Sequence, residues 1–330
     1  MGALVAGAAA STVLVMARWA AAFTAPQAPV VVSVCLAFSA IYFIAYLAAR
    51  RMGRATAPVL WSAVGMPAVS LAFAFFLMEN APGTVRPGLL LPFIFASDAL
   101  LLAVAWLDER TPRLHLAAGL GAFVLLAVWA GGSLTADMLP WALAASLAFA
   151  ALHSAFGSVL ERRRPACAPT WWSQIFPPLA LLLMLFPVFR LAEVSLLVWP
   201  AILLVDVIAI ALAVLSASLA AVGAALVLTL LAAGSVIFKA PADALLEPSL
   251  LLIIGGFSVF FFGASFWLVR RLGSRLPADA TRASALFGGA QGQLRRSHRS
   301  CPSFSSSSHA GGSQPRTRRP SSAWRFFWSS

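Results

Sequence analysis

The chain has 330 residues, of which 61% are hydrophobic and 10% charged, with a net charge of +12. A soluble domain needs about a quarter of its residues charged to cover its surface, so this composition excludes an ordinary globular protein and predicts an all-α polytopic membrane protein. The charge is uneven: residues 1–269 hold 12 basic and 10 acidic side chains, whereas residues 270–330 hold 11 and one.

Residues 1–25 are Ala-rich and end Ala-Phe-Thr-Ala, as a signal peptide would, but they lack a basic leading segment and Arg18 interrupts the apolar stretch. A first membrane helix without cleavage is expected instead. A helix needs about 20 apolar residues to cross the hydrocarbon core, and dividing the chain at charges, prolines and glycine turns gives about ten spans. In order these are Ala3–Phe23, Val30–Ala49, Val59–Met78, Leu89–Leu107, Leu114–Ala130, Leu139–Leu160, Trp171–Phe189, Leu196–Leu215, Leu219–Phe238 and Leu250–Val269. Only Ser216-Ala217-Ser218 separates the eighth from the ninth, and one long bent helix is the competing reading.

Short cytoplasmic loops carry the Lys/Arg excess, which selects the orientation. Arg50, Arg51 and Arg54 follow the second span, Arg110 and Arg113 the fourth, Arg162, Arg163 and Arg164 the sixth, and Arg270, Arg271 and Arg275 the tenth. Both termini are then cytoplasmic, with a bacterial inner (plasma) membrane as the expected location. Trp19, Trp61, Trp106, Trp129, Trp141, Trp171, Trp172, Trp199 and Trp267 fall near span ends, where amphipathic rings prefer to lie.

Five spans per half would place residues 1–131 and 132–272 in opposite orientations, as inverted repeats require. Gly121-Ala-Phe-Val loosely echoes Gly256-Phe-Ser-Val, and Ala25-Pro-Gln-Ala-Pro29 echoes Pro165-Ala-Cys-Ala-Pro169. Small residues that let helices approach closely recur as Ala217, Ala221 and Ala225, as Ala220 and Ala224, and as Gly256 with Gly263.

An ionisable side chain at mid-span costs about 2.5–3.5 kcal/mol on insertion scales, so each needs a partner, a water-filled cavity or a proton. Asp98 lies near the middle of the fourth span, Asp206 near the middle of the eighth, and His153 in the inner half of the sixth beside Ser154 and Ser158. Two readings follow. In one, Asp98 and Asp206 titrate along a proton- or cation-coupled pathway with His153 as relay. In the other, each carboxyl locks two helices by hydrogen bonding. His115, beside Arg113, reads as an interfacial, partly solvated side chain, and Arg18 as one that snorkels. No nucleophile elbow, HExxH or phosphate-binding glycine loop is present, so no enzyme, catalytic residue or cofactor is expected. Cys35, Cys167 and Cys301 have no metal-ligand spacing. The expected partners are the lipid bilayer and a small-molecule substrate, with no nucleic acid.

The segment Met78-Glu-Asn-Ala-Pro, then Leu89–Asp98 on to Trp106, then Leu114–Trp129, resembles the bacterial membrane-protein family called domain of unknown function 2339. That resemblance implies a multi-spanning membrane protein and no particular activity. The ten-helix, five-plus-five, both-ends-inside plan is similar to that of the drug/metabolite transporter (EamA-like) superfamily. Trp106-Leu-Asp-Glu109-Arg, with Gly119 and Gly121, resembles the acidic turn before that family's fifth helix, which implies a small-molecule exporter. In the second half Lys239-Ala-Pro stands where the matching turn would fall.

From Gly273 onward Ser, Arg, Pro and Gly dominate, as in Ser303–Ser308 and Arg316–Pro320, which predicts a disordered cytoplasmic tail. The abrupt change and the Arg without Lys fit out-of-frame translation of a GC-rich gene. The competing reading is a polybasic segment on anionic lipid with Trp324-Arg-Phe-Phe-Trp328 at the interface.

Overall fold

The computed structural model describes residues 2–20, 24–80, 86–111, 113–163, 173–191, 196–216, 220–239 and 248–272; the tail lies outside the described residues. Ten α-helices and no strands occur among them: α1 (Gly2–Ala20), α2 (Ala28–Arg51), α3 (Ala57–Asn80), α4 (Pro87–Leu107), α5 (Leu114–Ser133), α6 (Leu139–Arg163), α7 (Phe176–Arg190), α8 (Val198–Ser216), α9 (Ala220–Lys239) and α10 (Pro248–Leu272). Nine of these are long and apolar enough to cross a membrane. The chain is an all-α polytopic membrane protein; α8 and α9 pack on each other, and residues 217–219 between them lie outside the described residues.

Local chemistry sets the helix ends. Proline occupies the first turn of α2, α4 and α7, where its missing N–H is one that no helical carbonyl would have accepted. The α2 terminus is closed by Gly53, whose φ of 67° is the left-handed conformation that glycine adopts without strain, with Gly53 N–H donating to the Arg50 carbonyl at 3.0 Å.

α7 is the exception. The span expected over Trp171–Phe189 is a helix of only 15 residues, about 22 Å at 1.5 Å per residue, because the Pro177-Pro178 pair fixes its start at Phe176. Ser173–Gln174 is a turn, and residues 164–172 lie outside the described residues.

The packing follows a repeating scheme. In the first half α1 packs on α3, α2 on α3 and α4, and α3 on α4 and α5; in the second half α6 packs on α8, α7 on α8 and α9, and α8 on α9 and α10. Adding five to each helix number of the first set gives the second. The α4–α5 and α6–α7 contacts stand outside this correspondence. α4, α5, α6 and α7 join the two sets through α4–α6, α5–α6 and α5–α7 contacts.

Side chains at the helix ends fix the relative directions. The Arg50 guanidinium at the end of α2 donates to the Leu107 carbonyl at the end of α4. Tyr46 O–H donates to the Asp108 carboxylate at 3.1 Å, and the Arg163 guanidinium at the end of α6 lies 4.1 Å over the Trp106 ring. The C-terminal ends of α2, α4 and α6 therefore gather at one face, rich in arginine, and α5 starts there. At the opposite face Arg190, closing α7, donates to the Ala130 carbonyl at 3.4 Å and to the Gly131 carbonyl, at the end of α5.

Large apolar side chains such as Leu4, Ile44, Val124, Leu182, Val227 and Phe262 are exposed around the bundle, a surface that only lipid would cover. Trp61, Trp141 and Trp267 share that exposure, whereas Trp129 and Trp199, also near helix ends, are buried in the bundle. On α9 the buried stripe Ala221, Ala225, Thr229 and Ala232 faces its neighbours. Gly256 and Gly263 behave otherwise than expected: a Cβ at either would meet nothing within 4 Å, because α10 sits at the rim and its glycines face outward.

Candidate functional site

The buried polar groups of the bundle interior concentrate where the two helix sets meet. On α4, Asp98 is wholly buried near mid-helix, and its Oδ2 lies 2.9 Å from Nε2 of His153 on α6, also wholly buried. An ion pair or a neutral carboxyl–imidazole hydrogen bond both satisfy this geometry, and in each a proton sits between the two groups. His115, in the first turn of α5, completes the cluster: its Nε2 is 3.0 Å from the His153 main-chain carbonyl and its ring centroid 5.4 Å from that of His153. A carbonyl oxygen only accepts, so His115 carries a proton on Nε2.

His115 corrects the sequence expectation of a partly solvated interfacial side chain. It has no exposed surface. The reason is a reciprocal fit between α5 and α6. A Cβ added to Gly119 of α5 would lie 2.8 Å from Nδ1 of His153 and would clash with the Phe176 ring; one added to Gly157 of α6 would lie 2.9 Å from Ser173 Cβ and 3.0 Å from Cε1 of His115. Each histidine thus lies against a glycine of the other helix. The signal was present as His115-Leu-Ala-Ala-Gly119 and His153-Ser-Ala-Phe-Gly157, the same histidine-to-glycine spacing twice.

Aromatic rings enclose the imidazoles. Phe176, the first residue of α7, has its centroid 4.7 Å from His153 and 5.3 Å from His115, and Phe156 lies 5.2 Å from His115. Among the described residues four buried polar atoms have no hydrogen-bond partner within the protein: Ser97 Oγ, and three in this cluster, Asp98 Oδ1, His115 Nδ1 and His153 Nδ1. Buried polar atoms are normally paired, and exceptions mark strain or function.

The remaining expected residues separate from this cluster. Asp206 on α8 is buried and accepts from the Thr229 hydroxyl of α9, at 3.0 Å to Oδ2 and 3.1 Å to Oδ1. That contact clasps two helices of the second set. Ser158 Oγ donates within its own helix to the Ser154 carbonyl, and Ser154 Oγ donates to the Ser173 carbonyl at 3.5 Å, so neither serine addresses the imidazoles through its hydroxyl. Arg18 is exposed in the last turn of α1. Among the described residues no three His, Cys, Asp or Glu side chains are gathered as a metal site.

Fold and site together define an integral membrane protein with a closed, buried carboxylate–imidazole cluster between two sets of helices. No protein-family model, curated protein or solved structure matches the chain.

Proposed function

We propose that the protein moves a small solute across the membrane, with the Asp98–His153 pair binding and releasing a coupling proton between two five-helix halves. One observation carries the reading: a wholly buried carboxylate and imidazole 2.9 Å apart, at the middle of α4 and on α6, the two helices belonging to different sets. Ionisable groups inside a membrane are expensive to bury and are placed there for proton or ion traffic. The repeated packing scheme supports an inverted-repeat plan, in which such sites sit near mid-bilayer at the repeat interface. It also agrees with the resemblance of the topology to drug/metabolite transporters. In the expected orientation the arginine-rich face is cytoplasmic, in a bacterial inner membrane.

The complete burial of Asp98 and His153 favours a second reading, a non-transporting membrane module in which the pair locks α4 to α6. The two differ in whether the pair exchanges protons with water. In nanodiscs, infrared spectra of the full chain should show the Asp98 carboxyl changing protonation as the bulk pH is varied. The signal should vanish in Asp98→Asn. Everted vesicles should then show a solute-dependent collapse of a pH gradient that Asp98→Asn and His153→Gln both remove. A carboxyl that stays in one state throughout would leave the locking role standing and overturn the transport reading.

A further inference from the structure

We infer that His115 is a second proton carrier of the same site, connecting the Asp98–His153 pair to the arginine-rich face; the inference rests on the proton-coupling reading of that pair. Three observations carry it. His115 donates through Nε2 to the His153 carbonyl, so its Nδ1 is the nitrogen left to take up a proton. The Nδ1 atoms of both imidazoles are buried and unpartnered, with ring centroids 5.4 Å apart. His115 occupies the first turn of α5, the end that lies at the arginine-rich face, whereas Asp98 lies at mid-helix. The three side chains therefore step from the bundle middle toward one surface.

The transfer is balanced as a proton exchange. A proton arriving at the pair makes His153 an imidazolium beside the Asp98 carboxylate. The Nδ1–H bond of His153 then breaks, an Nδ1–H bond forms on His115, and the positive charge moves with the proton. Neither Nδ1 bonds the other in this conformation, so a shared water or a brief ring rotation completes the step. Gly119 and Gly157 keep the two rings close, since a side chain at either would displace an imidazole.

The charged and titratable groups of the elements around His115 are these. α6 presents His153, with Asp98 of α4 bonded behind it, and carries Glu161, Arg162 and Arg163 in its last turn; Asp108, Glu109 and Arg110 follow α4, and Arg113 precedes His115 at the start of α5. α3 and α7 also pack on α5, and the ionisable side chains of those helices are Glu79 and Arg190, both at the opposite face.

The test is a pH jump on the full chain in nanodiscs, following the Asp98 carboxyl by infrared spectroscopy in wild type and His115→Gln. Glutamine can still donate to the His153 carbonyl but carries no transferable proton. Protonation of the pair should slow about 100-fold, the lower range of what a positioned proton carrier supplies, with the midpoint unchanged. An unchanged rate overturns the role of His115 and leaves the Asp98–His153 pair as the coupling site. A midpoint that moves while the rate holds assigns His115 a structural part and also overturns it. A wild-type carboxyl that never titrates overturns the coupling reading itself. Nitrogen-15 NMR of wild type needs no variant: neutral His115 should carry its proton on Nε2 and gain a second on Nδ1 as the pH is lowered, and a His115 that stays neutral while the pair takes up its proton sinks the inference.

Discussion

Gly119 and Gly157 show how much a missing methyl group can decide. Alanine in place of glycine in a helix interior ordinarily gains about 1 kcal/mol through backbone entropy. At Gly119 the added Cβ meets the Phe176 ring and His153, and at Gly157 it meets Ser173 and His115, including Ser173 Cα at 3.1 Å. Overpacking of this kind costs about 1–3 kcal/mol, enough to reverse the sign. Gly119→Ala and Gly157→Ala should therefore lower the thermal midpoint in detergent. Gly121→Ala on α5 and Gly65→Ala on α3, whose added Cβ atoms meet nothing within 4 Å, should hold or raise it. Histidines at positions 115 and 153 were visible as letters in the chain. Their burial against glycines was legible only as a repeated spacing whose meaning needs two helices crossing.

Among the elements, α8 and α9 illustrate a polar clasp inside an apolar pair. Apolar area drives little association between helices already surrounded by lipid, so small residues and buried hydrogen bonds hold them. The stripe Ala221, Ala225, Thr229 and Ala232 supplies close approach, and Thr229 adds the bond to Asp206. Thr229→Val preserves the shape and removes the donor. It should destabilise the protein by about 0.5–2 kcal/mol in reversible unfolding in micelles, and pairing it with Asp206→Asn should show non-additivity, since both act on one contact. Along the chain Asp98 and Asp206 have equal standing, because both sit at mid-helix. Their separation into a cluster between helix sets and a clasp within one set depends on which neighbour each helix face meets. α7 makes the complementary point: its apolar run suggested a full span, but paired prolines shorten the helix and aim Phe176 at the imidazoles.

At the scale of the whole molecule, the arginines act as topological markers and as contacts. Arg50 and Arg163 converge on the end of α4, so loops far apart in sequence share one face. In a background with Cys35, Cys167 and Cys301 changed to serine, single cysteines at Arg54, Arg110 and Arg162 should react with an impermeant maleimide from the same side of sealed vesicles, and a cysteine at Asp137 from the other. Labelling of Arg54→Cys and Arg162→Cys from opposite sides would break the arrangement. The face shared by these loops is also where α5 begins, and His115 stands in the first turn of that helix.

By itself the sequence determined that this is a multi-spanning helical membrane protein, where its helices begin and end to within a few residues in most cases, and which loops group by charge. Those properties follow from apolar run length, proline and glycine placement and arginine position, all local along the chain. The tertiary structure alone decided that Asp98 pairs with His153, that His115 is buried beside them, and that Asp206 bonds Thr229 on another helix pair. Every helix here is apolar around most of its circumference, so amphipathic patterning does not say which face turns inward. Only the packing of one helix against another can bring those side chains together.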